Sequence, residues 1–142
     1  MTTNKFLAQI DGRDQVEIEL ESSQDKTLKS VRALGCKGHL NKVKLFRSQI
    51  GTPLLKIVSP TGNHHTDMLI REAVSKAKGE FSLPYKEEEL CHCRAVPTKV
   101  VDQAILSGCN TTEQVSRATS ASTACGSCRA DVQKLLNYRK GP

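Results

Sequence analysis

The sequence predicts an α+β fold in two parts: a small antiparallel sheet with two helices, followed by a small all-α helix-turn-helix domain. Three observations predict it. From Gln15 to Glu21 the apolar Val16, Ile18 and Leu20 alternate with Glu17, Glu19 and Glu21, the period of a strand with one face in a core. Beyond Gly35, and again beyond Thr98, apolar residues recur at helical spacing instead. Four of the six cysteines fall in two close pairs near the C-terminal end of the 142 residues.

Taken in order, Phe6–Ile10 and Gln15–Glu21 flank the turn Asp11-Gly12-Arg13-Asp14 and form a hairpin. Thr27–Leu34 supplies a third strand that runs into Gly35-Cys36-Lys37-Gly38. A helix follows, with Leu40, Val43, Phe46 and Ile50 on its apolar face, and stops at Gly51-Thr52-Pro53. The short apolar run Leu54–Val58 leads to the turn Ser59-Pro60-Thr61-Gly62. A second helix opens at His64-His65-Thr66, carries Met68, Leu69, Ala73, Val74 and Ala77, and ends at Gly79. Here the pattern lapses into Ser82-Leu83-Pro84-Tyr85 and Glu87-Glu88-Glu89, so the reading is one domain over 1–79, a linker over 80–89 and a second domain over 90–142. In the second domain Thr98 opens a helix bearing Val101, Ala104 and Ile105 and stopped by Gly108. Thr111-Thr112-Glu113-Gln114 offers a capping box for a helix with Val115 and Ala118, and a last helix with Val132, Leu135 and Leu136 begins near Cys128.

Composition narrows the function classes. The N-terminal residues reach Gln9 and Asp11 without an apolar stretch fit for a signal peptide or a membrane span, which predicts a cytoplasmic protein with no membrane partner. In that compartment cysteines stay reduced, and six of them point to metal or redox chemistry rather than disulfides. The net charge of +6 suits an anionic partner, but 4% aromatics and the lack of a recognised motif argue against nucleic acid. No constellation for hydrolase or transferase chemistry is present, so the reading is not an enzyme.

The cysteine pairs read Cys91-His92-Cys93, then thirty-one residues, then Cys125-Gly126-Ser127-Cys128. Two pairs around a compact helical insert deliver four thiolates to one point, the ligand number of a 2Fe-2S cluster or of a structural zinc ion. One residue between the first two cysteines is tighter than zinc sites usually use, which favours the cluster, with zinc kept as the alternative. An oxidised 2Fe-2S core with four thiolates carries a net charge of about minus two. The second pair lies at the start of the last helix, whose N–H groups suit negative charge. Arg94 and Arg129 each follow a candidate ligand, though both also read as solvated surface. Cys109 reads as a small packed residue and His92 as a side chain turned away from the site.

Residues 90–137, from Leu90-Cys91-His92-Cys93-Arg94 to Ala124-Cys125-Gly126-Ser127-Cys128-Arg129, resemble the bacterioferritin-associated ferredoxin (BFD) family. That module also occurs in nitrite reductases and in the central part of NifU-type proteins. The resemblance implies a helix-turn-helix fold holding a 2Fe-2S cluster through Cys91, Cys93, Cys125 and Cys128.

The first domain resembles the IscU-type scaffold that forms the front of NifU, in the order hairpin, strand, Gly35-Cys36 turn, helix, and a histidine opening the final helix. By that resemblance Cys36 takes the first cysteine position and His65 the histidine position. Thr66 stands where the last cysteine would be, and the segment for the middle one is missing, which implies a degenerate, shortened scaffold. Cys36 also reads as a thiol packed at a strand–helix turn, His64 and His65 as helix-start residues, and Asp67 as a first-turn acid. From Lys26 to Lys56 there are eight basic residues (Lys26, Lys29, Arg32, Lys37, Lys42, Lys44, Arg47, Lys56) and no acidic one. Such a stretch docks an acidic partner, here a redox or iron–sulfur assembly protein, or solvates an outer face. The leading expectation is an electron-transfer or cluster-storage protein with an N-terminal docking domain. Its rivals are a NifU-like assembly factor, with a further ligand from the second subunit of a homodimer, and a four-cysteine zinc module on nucleic acid.

Overall fold

The computed structural model describes residues 4–22, 24–62, 64–91, 94–121, 126 and 128–140. The chain divides between Phe81 and Ser82 into two compact units. The fold class is α+β, as the alternating and helical patterns predict.

In the first unit β1 (Lys5–Gln9), β2 (Gln15–Leu20) and β3 (Leu28–Leu34) form an antiparallel sheet with β2 in the middle. The hairpin is closed by Ile10 N–H on Asp14 O at 2.8 Å, and its register sets Ala8 opposite Val16 and Ile18 opposite Val31. Because side chains alternate across a strand, Ala8, Val16, Ile18 and Leu20 all reach one face, and all are buried. Helix α2 (His65–Ala77) lies on that face against β1 and β2 and buries Met68, Leu69, Ile70, Ala73, Val74 and Ala77. Each large aliphatic side chain so buried contributes roughly 1.5–3 kcal/mol of hydrophobic stabilisation.

Helix α1 (Lys37–Phe46) packs on β3 and α2 through a face that the sequence spacing predicts at Val43 and Phe46 but not at its two ends. His39, Val43 and Phe46 are buried, whereas Leu40 is 40% and Ile50 44% exposed. The helix starts directly after Cys36, which phases residue 39 rather than 40 inward. It also gives way after Phe46 to a 3-10 turn over Arg47–Gln49, so Ile50 never joins its face. The apolar run 54–58 is likewise a 3-10 turn, Leu54–Lys56, that buries only Leu54 and the following Ile57.

The second unit is mostly helical. Helices α3 (Thr98–Leu106), α4 (Thr112–Thr119) and α5 (Arg129–Lys140) each pack on the other two, around Val101, Ile105, Leu106, Val115, Val132, Leu135 and Leu136. To the all-α arrangement expected here the structure adds a short antiparallel ribbon, β4 (Glu89–Cys91) with β5 (Val96–Pro97). Strands of three and two residues are too short to show a period, which is why the sequence does not announce them. Half of the capping box is present, since Thr111 Oγ1 accepts from Gln114 N–H at 3.1 Å, while Gln114 Oε1 reaches one residue further back and accepts from Asn110 N–H at 2.6 Å. Among the described residues no helix is long and apolar enough to cross a membrane.

Candidate functional site

Cys91 is the last residue of β4, set opposite Val96 of β5, and its residue is 2% exposed. The ribbon is held at the mouth of α3, where Thr98 N–H donates to Glu88 O and Thr98 Oγ1 to Glu87 O at 2.7 and 2.6 Å. Cys128 directly precedes α5 and is 6% exposed. Its carbonyl accepts from both Asp131 and Val132 N–H at 3.1 Å, and Arg129 N–H turns back to Gly126 O at 3.2 Å, which starts the helix tightly. Cys128 therefore stands at the amino end of α5, where the helix dipole favours a thiolate. Cys93, Cys125 and His92 lie outside the described residues.

The described donors fit a cluster. Two thiols are buried in one small unit, one on a strand end and one at a helix start, and sulfur is the donor an iron–sulfur centre takes. Tyr85 adds a nearby phenol, whose hydroxyl donates to Glu89 O at 3.0 Å and to Glu87 at 3.1 Å. Partial desolvation, then the bond to Glu87 and the negative charges of Glu87, Asp131 and Cys128 raise its pKa, so it stays a neutral donor. Arg94 and Arg129 are both exposed, and Arg129 lends its charge to Glu113. Cys109 is half-buried after α3, and burial pushes its thiol up, in line with a packed, unreactive residue.

In the first unit Cys36 and His65 converge on a residue that sequence reasoning passed over, Asp14. Cys36 is exposed at the N-cap of α1; its N–H donates to Asp14 Oδ1 at 3.1 Å, and its Sγ lies 3.8 Å from Asp14 Oδ2. His65, the first residue of α2, sets Nε2 against the same Oδ2. His39 is fully buried alongside, with Nδ1 at 2.8 Å from Thr66 Oγ1 and Nε2 at 2.9 Å from Gln15 O. The His65 ring stacks on those of His64 and His39 at 4.2 and 5.5 Å. His64 is the α2 cap, its Nδ1 accepting from Thr66 N–H at 3.1 Å.

Electrostatics follow the packing. Burial alone pushes the Asp14 carboxyl up, but the Cys36 N–H and the charges of His65, His39 and Arg13 outweigh it and hold the group below its ordinary range. Burial, with His64 close by, pushes the His65 imidazole down, and the attraction of Asp14 offsets this only in part. The pair is thus a carboxylate facing a histidine that favours its neutral form. Asp14 sat in a hairpin turn that reads as ordinary turn chemistry. The sequence spacing put Leu40 rather than His39 on the buried face of α1, so His39 was passed over as well. Asp67 is a buried first-turn acid of α2 that also pairs with Lys42 at 3.3 Å.

Residues 90–138 match the family described as the BFD-like 2Fe-2S binding domain. The chain is also 28% identical over 120 residues to the nitrite reductase (NAD(P)H) of Bacillus subtilis (strain 168), a match that covers 73% of this chain and 15% of that protein. The chain thus spans about 15% of the length of that relative. No solved structure matches the chain significantly. With buried sulfur donors at the end of β4 and the start of α5, residues 90–138 are a BFD-like domain, and its cofactor is a 2Fe-2S cluster.

Proposed function

We propose that this is a non-enzymatic cytoplasmic protein in which Cys91, Cys93, Cys125 and Cys128 hold the 2Fe-2S cluster and pass single electrons, while the first unit docks an acidic redox partner. The observation that carries this reading is the family match over 90–138, which contains both cysteine pairs, together with the burial of Cys91 and Cys128. A cluster of this kind cycles between two charge states one electron apart, and the fixed dipole of α5 at Cys128 stabilises both without rearrangement. The basic stretch supports the docking role: Lys37, Lys44 and Lys56 are exposed, although Lys42 is drawn to Asp67 and Arg47 donates to Val31 O at 3.1 Å.

A second reading, cluster assembly, is favoured by the meeting of Cys36 and His65 at Asp14. Anaerobic purification with visible absorption and iron and sulfide quantitation tests the cluster reading. Two irons and two sulfides per chain are expected, and a colourless protein with one zinc and no labile sulfide would sink it. Reduction of the bound cluster without its loss supports electron transfer, whereas stoichiometric delivery of the cluster to an apo acceptor supports assembly.

A further inference from the structure

In the first unit the Asp14 cluster joins the starts of α1 and α2. We propose that Asp14, His39, His65 and Cys36 form a site for one divalent transition-metal ion of the Zn2+ class, separate from the cysteines of residues 90–138.

The donor set comes first. It holds one carboxylate, two imidazoles and one thiol, all of which Zn2+ accepts. The ligand atoms of Asp14, His39 and His65 lie within 4.8 Å of one another. Donors about 2.0–2.2 Å from a tetrahedral ion stand roughly 3.4 Å apart, so the three residues need shifts of about 1 Å to meet one. Cys36 Sγ is already 3.8 Å from Asp14 Oδ2, close to the roughly 3.5 Å that sulfur and oxygen keep on one zinc ion. Since Cys36 is exposed while Asp14 and His39 are buried, the thiol lies on the solvent side of the set, where an ion would enter.

Orientation is the second argument. A carbonyl only accepts, so the contact with Gln15 O fixes the His39 proton on Nε2 and leaves Nδ1 with the lone pair. A metal-binding histidine is commonly held in this way, by a carbonyl on its second nitrogen. The Nδ1 lone pair is met by the Thr66 hydroxyl, which a ligand exchange at that nitrogen would release. Asp14 is held likewise: Oδ1 accepts from Cys36 N–H, which leaves Oδ2 directed at His65. His65 Nε2 is buried and has no aligned hydrogen bond among the described residues, although it touches that same Oδ2. The pair thus brings a carboxylate oxygen and an imidazole nitrogen to one point, two donor types that a Zn2+ ion takes together.

The experiment uses the full chain as isolated, with the metal and sulfide in residues 90–138 quantified first, and Co2+ as the probe because tetrahedral Co2+ absorbs visibly. One further Co2+ per chain is expected, with tetrahedral bands in the difference spectrum and a sulfur-to-cobalt charge-transfer band, and with no loss of iron. Cys36→Ser is expected to keep the bound Co2+ but lose the charge-transfer band. His65→Gln is expected to weaken binding at least tenfold. Should His65→Gln not fold, wild-type protein decides: the His65 imidazole nitrogen resonances move on Zn2+ addition if the site exists. No Co2+ beyond that displacing iron, the same affinity in a folded His65→Gln, or His65 resonances indifferent to Zn2+ would each overturn the proposal.

Discussion

The Arg139 guanidinium grips the Asp102 carboxylate with two hydrogen bonds of 2.7 and 2.6 Å, and joins the end of α5 to the middle of α3. Both residues are buried, at 4% and 7% exposure, so removal of either strips a charge held away from water of its two-pronged partner. Asp102→Ala is expected to destabilise the second unit by roughly 3–5 kcal/mol. The paired change Asp102→Leu with Arg139→Met is expected to recover most of that loss, because two apolar groups need no partner. Urea unfolding of the two variants checks both statements.

Loss of one cluster ligand is expected to unfold the domain that holds it. The second unit has a small core, so metal binding supplies part of its folding free energy. Cys91→Ala, Cys93→Ala, Cys125→Ala or Cys128→Ala is expected to bleach the protein and lower amide-exchange protection in α3, α4 and α5, with β1–β3 unaffected. Cys109→Ser is expected to keep its colour. Retained iron together with unchanged protection in Cys125→Ala would contradict the assignment.

Helix α4 is expected to lose order in acid. Its own backbone N–H, the Thr111 hydroxyl and Arg129 hold the exposed Glu113 carboxyl below its ordinary 4.5, with slight desolvation opposing them. A group depressed in the fold contributes stability that is present above 4.5 and lost as pH falls through its folded value. Thr111→Ala, which removes the cap itself, is expected to cost about 1 kcal/mol at neutral pH. Amide exchange of Val115 and Ser116 as a function of pH reads both effects.

Strands β1–β3 and helices α2, α3 and α5 were legible because each has a period: Val16, Ile18 and Leu20 for β2, or Met68, Leu69, Ala73 and Ala77 for α2. The cysteine pairs were legible because ligand spacing is local. Asp14 and His39 were not, because what brings them to His65 is the docking of a hairpin turn and two helix starts, which no local pattern encodes. The partners Asp102 and Arg139, thirty-seven positions apart, were hidden for the same reason.

Gly35 separates β3 from α1 at φ +154°, and an added Cβ would sit 2.7 Å from both Asp14 Cγ and His39 Cδ2. Gly35→Ala is therefore expected to cost about 1–3 kcal/mol through backbone strain, and more from the overlap. The penalty falls on the first unit alone, which thermal unfolding monitored by separate probes in each unit would show.

If the basic stretch steers an acidic partner, the exposed residues Lys37 and Lys44 are the ones to reverse, since Lys42 already serves Asp67. Lys37→Glu with Lys44→Glu is expected to slow reduction of the cluster severalfold at low salt without altering its spectrum. The gap between variant and wild type should close as ionic strength rises and the Debye length falls from about 30 Å at 0.01 M to about 10 Å at 0.1 M. Identical rates at low salt would return these lysines to plain solvation.

Asp14 divides its two oxygens between the first turns of two helices, Oδ1 to the N–H of Cys36 at α1 and Oδ2 to His65 at α2. One carboxylate thus ties the opening of one helix to the opening of the other. Neither helix end can fray without releasing a bond that also holds its neighbour. Opening events recorded by hydrogen exchange at the starts of α1 and α2 should therefore share one free energy and move together, as a single cooperative block seated on the hairpin.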